Sequence, residues 1–228
     1  SDVLVLASAL APVKNPAMLT KNLKMTESIL AATKTQNLKY ILNISSDAVY
    51  EDSEDFLTEN SKRSPTSLHG VMHLARELCF DTLPIPIGTL CPTLVYGLMD
   101  PHNGYGPNQF SRLVKSSRHI QLFGKGEELR DHVFIEDVAE IAVRMIEKKL
   151  NERINVASGE VNSFKSIASM CLKKSTSQLR INYEKRVGPM PHNGYRAFDI
   201  SKLKAFFPSF QPTLMKNGIQ YLFNGDMS

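Results

Sequence analysis

At 228 residues, with 42% hydrophobic and 22% charged content, the chain can bury a sizeable core as one large domain or two lobes, and its composition excludes intrinsic disorder. The net charge of +4 is small and its basic residues are scattered, with short pairs such as Lys148-Lys149 and Lys173-Lys174, which argues against nucleic-acid binding. No apolar run approaches the roughly 18 residues of a membrane span, so no membrane partner is expected.

Residues 1–10 are apolar but carry Asp2 where a secretory signal has a basic segment. The three cysteines, Cys79, Cys91 and Cys171, have no metal-like spacing and lie in apolar segments. A cytoplasmic protein with reduced, buried thiols is the expectation.

Residues 3–7 (VLVLA) form a short β-branched run, read as a strand ending in the small residues Ala7 and Ser8. Apolar spacing predicts a helix over residues 22–34. Tyr40 to Ile44 is a continuous apolar run, the pattern of a buried parallel strand. Ser46 follows it, at the strand end where open α/β sheets place their ligands. Residues 52–63 carry four carboxylates and two basic residues, read as a solvated loop. A helix over residues 68–80 then brings His69 and His73 to one face, as residues at i and i+4 are neighbours. A metal reading of this pair would need a third ligand and lacks HExxH, so no metal is expected.

Residues 85–96 read as one further buried strand, with Pro92 marking its end. Residues 99–110, rich in Gly, Pro and Asn, form a loop, followed by a short amphipathic helix over residues 110–117. Gly124-Lys125-Gly126 is read as a hairpin turn rather than a phosphate loop. A short strand and helix complete residues 120–142; a strand and turn near residues 154–159, a helix over 164–172 and a final helix after Pro212 close the chain.

Several of these segments, in order, resemble the extended short-chain dehydrogenase/reductase family of nucleotide-sugar epimerases and dehydratases. Ser45-Ser46-Asp47-Ala48-Val49-Tyr50 matches its SSxxVYG segment, and Ser46 falls where its catalytic serine lies. His69 and His73 stand where the family has the Tyr and Lys of YxxxK, and Cys91 where its LRPxxxYG segment has Arg. The run from Gly124 through Arg130-Asp131 to Asp137-Val138-Ala139 resembles GxGxxxRDxxxxxDVA, and Asp199-Ile200-Ser201-Lys202 a late family segment. The family's opening GxxGxxG turn is not found in these residues, and residues 3–7 resemble its fourth strand.

The resemblance implies an α/β fold: a partial doubly wound Rossmann-type parallel sheet with a smaller C-terminal mixed α/β substrate lobe. Residues 1–97 would be the remainder of the dinucleotide-binding domain. Residues 98–228 would be mainly substrate lobe, with residues about 130–150 returning to the sheet. It implies an NAD(P)-linked protein in which Ser46 and His69 exchange a proton with a nucleotide-sugar and His73 offers one hydrogen bond in place of Lys. Ala7, Ser8 and Pro92 would contact the cofactor. Arg130, whose planar fork suits a diphosphate, would grip the substrate with Arg186 and Asn108; the ordinary alternative for Arg130 is a surface salt bridge to Glu127, Glu128 or Asp131. The strand edge at residues 3–7 would be covered by a second copy or another partner. The loss of both Tyr and Lys also admits a second function class: a catalytically silent member that binds a nucleotide-sugar or a protein.

Overall fold

The computed structural model describes residues 3–225. The first half holds β1 (Val3–Leu6), α1 (Pro16–Thr33), β2 (Tyr40–Ile44), α2 (Leu68–Phe80), β3 (Ile87–Pro92), β4 (Leu94–Tyr96) and α3 (Pro107–Lys115). It is followed by β5 (Ile120–Phe123), β6 (Leu129–Phe134), α4 (Ile135–Lys148), β7 (Arg153–Val156), β8 (Val161–Ser163) and α5 (Phe164–Leu172). The chain closes with β9 (Ile181–Glu184), β10 (Tyr195–Arg196), α6 (Ser201–Phe206) and α7 (Met215–Asn224).

The main sheet is parallel, in the order β1-β2-β3-β7, with Leu42 beside Gly88 and Leu90 beside Ile154. Side chains of a strand alternate between faces. Tyr40 and Leu42 therefore meet Ile141 and Met145 of α4 on one face, while Ile41 packs with Leu6 and Phe80 on the other. Burial on both faces explains why β2 is apolar apart from Asn43, which is itself fully buried. β1 lies at the edge, with Val5 48% exposed.

The second sheet runs β10-β6-β4 in parallel, with β8 antiparallel to β6, and β5 and β9 form a separate parallel pair. Phe110, Phe134, Phe164 and Ile219 form the core between this lobe and its helices α3, α5 and α7. Among the described residues no helix is long and apolar enough to cross a membrane.

Several sequence expectations are corrected here. Helix α1 begins six residues before the predicted start: Asn15 caps it by accepting from the Met18 amide at 3.0 Å, and Pro16 pre-sets the first turn. Helix α3 likewise starts early, at Pro107, after Gly106 turns with φ +130°. The single strand predicted over residues 85–96 is two, β3 and β4, which belong to different sheets and are joined by Thr93. Gly124-Lys125-Gly126 turns the chain with φ +60° and +67° at its glycines, yet β5 and β6 do not pair, so it is no hairpin. The acidic loop is not simply solvated, because Leu57 is buried and bridges Phe198. Cys91 and Cys171 are buried as expected, whereas Cys79 is half-buried.

Gly70 sets the distance between α2 and the turn after β2. A Cβ there would overlap the Ala48 carbonyl oxygen and come within 2.6 Å of Pro65 Cβ. Alanine is the better helix former by about 1 kcal/mol, but the overlap is with backbone and cannot be relieved by a rotamer change. Gly70→Ala is expected to lower stability by about 1–3 kcal/mol in urea unfolding; an unchanged or raised midpoint would show that the turn gives way freely.

A cleft at the strand tips

The crossing from β3 to β4 opens a cleft of about 660 Å³ between the carboxyl ends of the main-sheet strands and the second lobe. Doubly wound sheets bind ligands at such strand ends. Ser46, His69, His73, Arg130, Ala7 and Pro92, all singled out in the sequence, line it together. Three other candidates, Ser8, Asn108 and Arg186, do not line it. Ser8 is exposed and touches the site only through its carbonyl, which accepts from Arg76 Nη1 at 3.1 Å. Asn108 spends its amide on the preceding loop, accepting from the Gly97 amide at 3.1 Å and donating to Asp100 Oδ2 at 2.5 Å. Arg186 reaches the cleft only by way of Glu128.

Ser46 follows β2 and caps a single 3₁₀ turn, its Oγ accepting from the Ala48 amide at 3.2 Å. The His69 and His73 rings line the same cleft from α2 and meet edge to face, 4.7 Å between centroids. His69 Nδ1 is buried without a protein partner. Burial holds the His69 pKa below its ordinary 6.5, with Arg76 pushing the same way and Asp47 opposing. His73 Nδ1 lies 3.2 Å from Arg76 Nη2. A guanidinium can only donate, so Nδ1 accepts and Nε2 carries the proton of His73. Burial first, then Arg76 and His69, push the His73 pKa down to about 2, so its ring is a neutral donor.

Beneath the histidines lies a buried ion cluster that sequence reasoning missed. Glu77 accepts from Arg153 Nη2 at 2.5 Å and Nη1 at 3.1 Å, from Arg63 at 3.2 Å, and from Ser45 Oγ. Arg153 Nη1 also lies 2.9 Å from Cys91 Sγ. Thr89 and Arg153 are register partners on β3 and β7, so the guanidinium enters from the strand neighbouring Cys91.

At the other end, Arg130 is buried rather than on the surface. Its Nη2 donates to the Pro191 carbonyl at 2.5 Å and to Glu128 Oε2 at 3.4 Å. Burial lowers the Arg130 pKa while Glu128 opposes the shift. The other Glu128 oxygen accepts from Arg186 Nη1, and Arg186 Nη2 donates to the Phe123 carbonyl at 3.1 Å. Asp131 instead holds the turn after β7, accepting from the Ser158 and Gly159 amides at 2.9 Å, and burial raises its pKa to about 6. Arg196 is saturated: Nε donates to Asp47 at 2.8 Å, Nη1 to Asp52 at 3.0 Å, and Nη2 to the Asp47 carbonyl. It pins the acidic loop to β10, which explains why that loop is ordered around charges that composition assigns to solvent. Among the described residues no group of three or more His, Cys, Asp or Glu could hold a metal ion.

Residues 6–157 match the model of the NAD dependent epimerase/dehydratase family. The chain is 26% identical over 214 residues to the uncharacterized UDP-glucose epimerase YtcB of Bacillus subtilis, covering 87% of this chain and 64% of that protein. It is 22% identical over 172 residues to a GDP-L-colitose synthase of Yersinia pseudotuberculosis, covering 66% of this chain and 56% of that one. It thus spans less than two thirds of the length of either curated relative. A UDP-glucuronic acid 4-epimerase of Bacillus cereus, solved with UDP-glucuronic acid and NAD, superposes with a TM-score of 0.84 at 25% identity, over 96% of this chain and 73% of that one.

Proposed function

Because the chain belongs to the NAD dependent epimerase/dehydratase family, we propose that its cleft takes a nucleotide-sugar and that Ser46 and His69 move a proton on the sugar. The observation that carries this reading is the convergence of Ser46, His69, His73 and Arg130 on one cleft at the strand tips. Relatives solved with UDP-sugars and NAD support the ligand class.

The residues present fit the nicotinamide end of a dinucleotide. Ala7, Ala9 and Ala11 leave space along one wall, and His73 lines the floor with the proton on Nε2. Bound there, the nicotinamide would supply hydride acceptance and return. The remaining work falls to this chain. Ser46 Oγ, held at the turn after β2, donates to the sugar oxygen at which charge develops. His69, neutral at pH 7, takes the proton of the sugar hydroxyl and later gives it back. His73 cannot exchange a proton in the physiological range, so its part is to hold a ribose hydroxyl. Arg130 binds diphosphate, exchanging the Pro191 carbonyl for phosphate oxygens.

The binding half of this reading is tested by calorimetric titration of UDP-, GDP- and dTDP-sugars. Arg130→Ala is expected to weaken binding about ten- to a hundred-fold, the loss of one charge-assisted contact worth about 1.5–3 kcal/mol. Arg130→Lys recovers part of it, since an ammonium cannot reproduce the fork. Tight wild-type binding that survives the alanine would refute the assignment.

A further inference from the structure

We propose that Glu128 is a built-in counter-anion that occupies Arg130 in the cleft and Arg186 behind it and sets, by charge, how tightly an anionic ligand binds there. This rests on the reading that a diphosphate approaches Arg130. Glu128 is buried and lines the cleft, and both of its carboxylate oxygens are committed to guanidinium groups, one on Arg186 and one on Arg130. Arg186 Nε is buried with no partner, and the Arg130 fork is completed only by the carbonyls of Leu129 and Pro191. The third arginine in range, Arg196, is neutralised by Asp47 and Asp52. The trio of Arg130, Arg186 and Glu128 therefore carries one net positive charge, where two unpaired arginines would carry two.

An arriving diphosphate meets attraction from two cations and repulsion from the buried carboxylate that already holds them; Asp131, the other buried acid of the cleft wall, is bonded to the Ser158 and Gly159 amides instead. The carboxylate opposes each added ligand charge inside a buried, weakly screened cleft, so its removal is expected to raise the affinity of a diphosphate about tenfold. The penalty grows with ligand charge and vanishes for a neutral nucleoside. The opposite possibility is physically distinct: a carboxylate that merely aims the two forks would help binding, and its loss would weaken it. The sign of the change separates them.

The test is titration of UDP, UMP and uridine against the wild type and Glu128→Gln at one ionic strength. Glutamine keeps the shape and one acceptor but not the charge. UDP is expected to bind Glu128→Gln about tenfold more tightly, UMP by a smaller factor, and uridine equally. The gain should shrink as salt is raised, as screening requires. If UDP binds the wild type and is unchanged or weaker in Glu128→Gln, Glu128 is an aiming residue and this inference fails while the binding reading stands. If UDP binds neither protein, both fail. Should the glutamine variant not fold, Glu128→Ala replaces it: it removes the same charge from between Arg130 and Arg186, and a several-fold tighter UDP affinity is expected. Unchanged or weaker binding there overturns the inference equally.

Discussion

Turnover of a UDP-sugar with NAD supplied is expected to fall about 10²- to 10⁴-fold in His69→Ala, the usual contribution of a positioned proton-transfer group. The pH profile gives a second, sharper signature. Burial places the His69 pKa below 6.5, so the free base predominates at pH 7 and is lost only as the pH falls through that lowered value. The acid limb of kcat/KM should therefore lie below pH 6.5 in the wild type and be absent from the residual activity of His69→Ala. Undiminished turnover in the variant would remove His69 from the chemistry. Binding without any turnover, in the wild type as well, would favour the silent member of the family, since both ordinary catalytic side chains are replaced here.

The largest loss of stability is expected at Arg153. Its guanidinium makes a two-pronged contact with Glu77, whose side chain is 1% exposed. Arg153→Met would leave that carboxylate with Ser45 and the more exposed Arg63 as its donors. Removing one member of a buried pair typically costs about 3–5 kcal/mol, because the remaining charge is stranded away from water. The same principle predicts that Arg153→Met combined with Glu77→Leu regains most of the loss, since an apolar pair strands nothing. Urea unfolding of the two variants would show both effects. A single-variant loss under about 1 kcal/mol would place the pair with ordinary surface bridges.

The sequence carried the main sheet and one end of the site clearly, and the other end poorly. Tyr40 to Ile44 is legible because burial on both faces demands a mostly apolar run, broken here only by Asn43, and Ser46 follows from where such a strand ends. His69 and His73 are legible because helical spacing is local. Arg153, Glu128 and Arg196 owe their roles to partners 76, 58 and 149 positions away, which no local pattern encodes. Asn108 shows the converse: its polarity suggested a ligand contact, and its side chain is bonded to the backbone and Asp100 of its own loop. The division of residues 85–96 between two sheets was hidden because both halves are apolar and only Thr93 separates them.

The pairing of Arg153 with Glu77 over Cys91 also restricts how this lineage can drift. A single carboxylate accommodates one two-pronged arginine, and that arginine can be rooted on either of two adjacent strands. Arginine at both 91 and 153 would crowd two cations into a space now filled by a buried thiol, and arginine at neither would strand Glu77. Each single exchange is therefore expected to be unfavourable and the double exchange tolerated, so positions 91 and 153 should behave as an epistatic pair. A route between the two states is open through a neutral residue at 77, where glutamine would tolerate either occupant. Selection from a library randomised at 77, 91 and 153 should return one basic residue across 91 and 153 whenever 77 is acidic, and release that constraint when it is not.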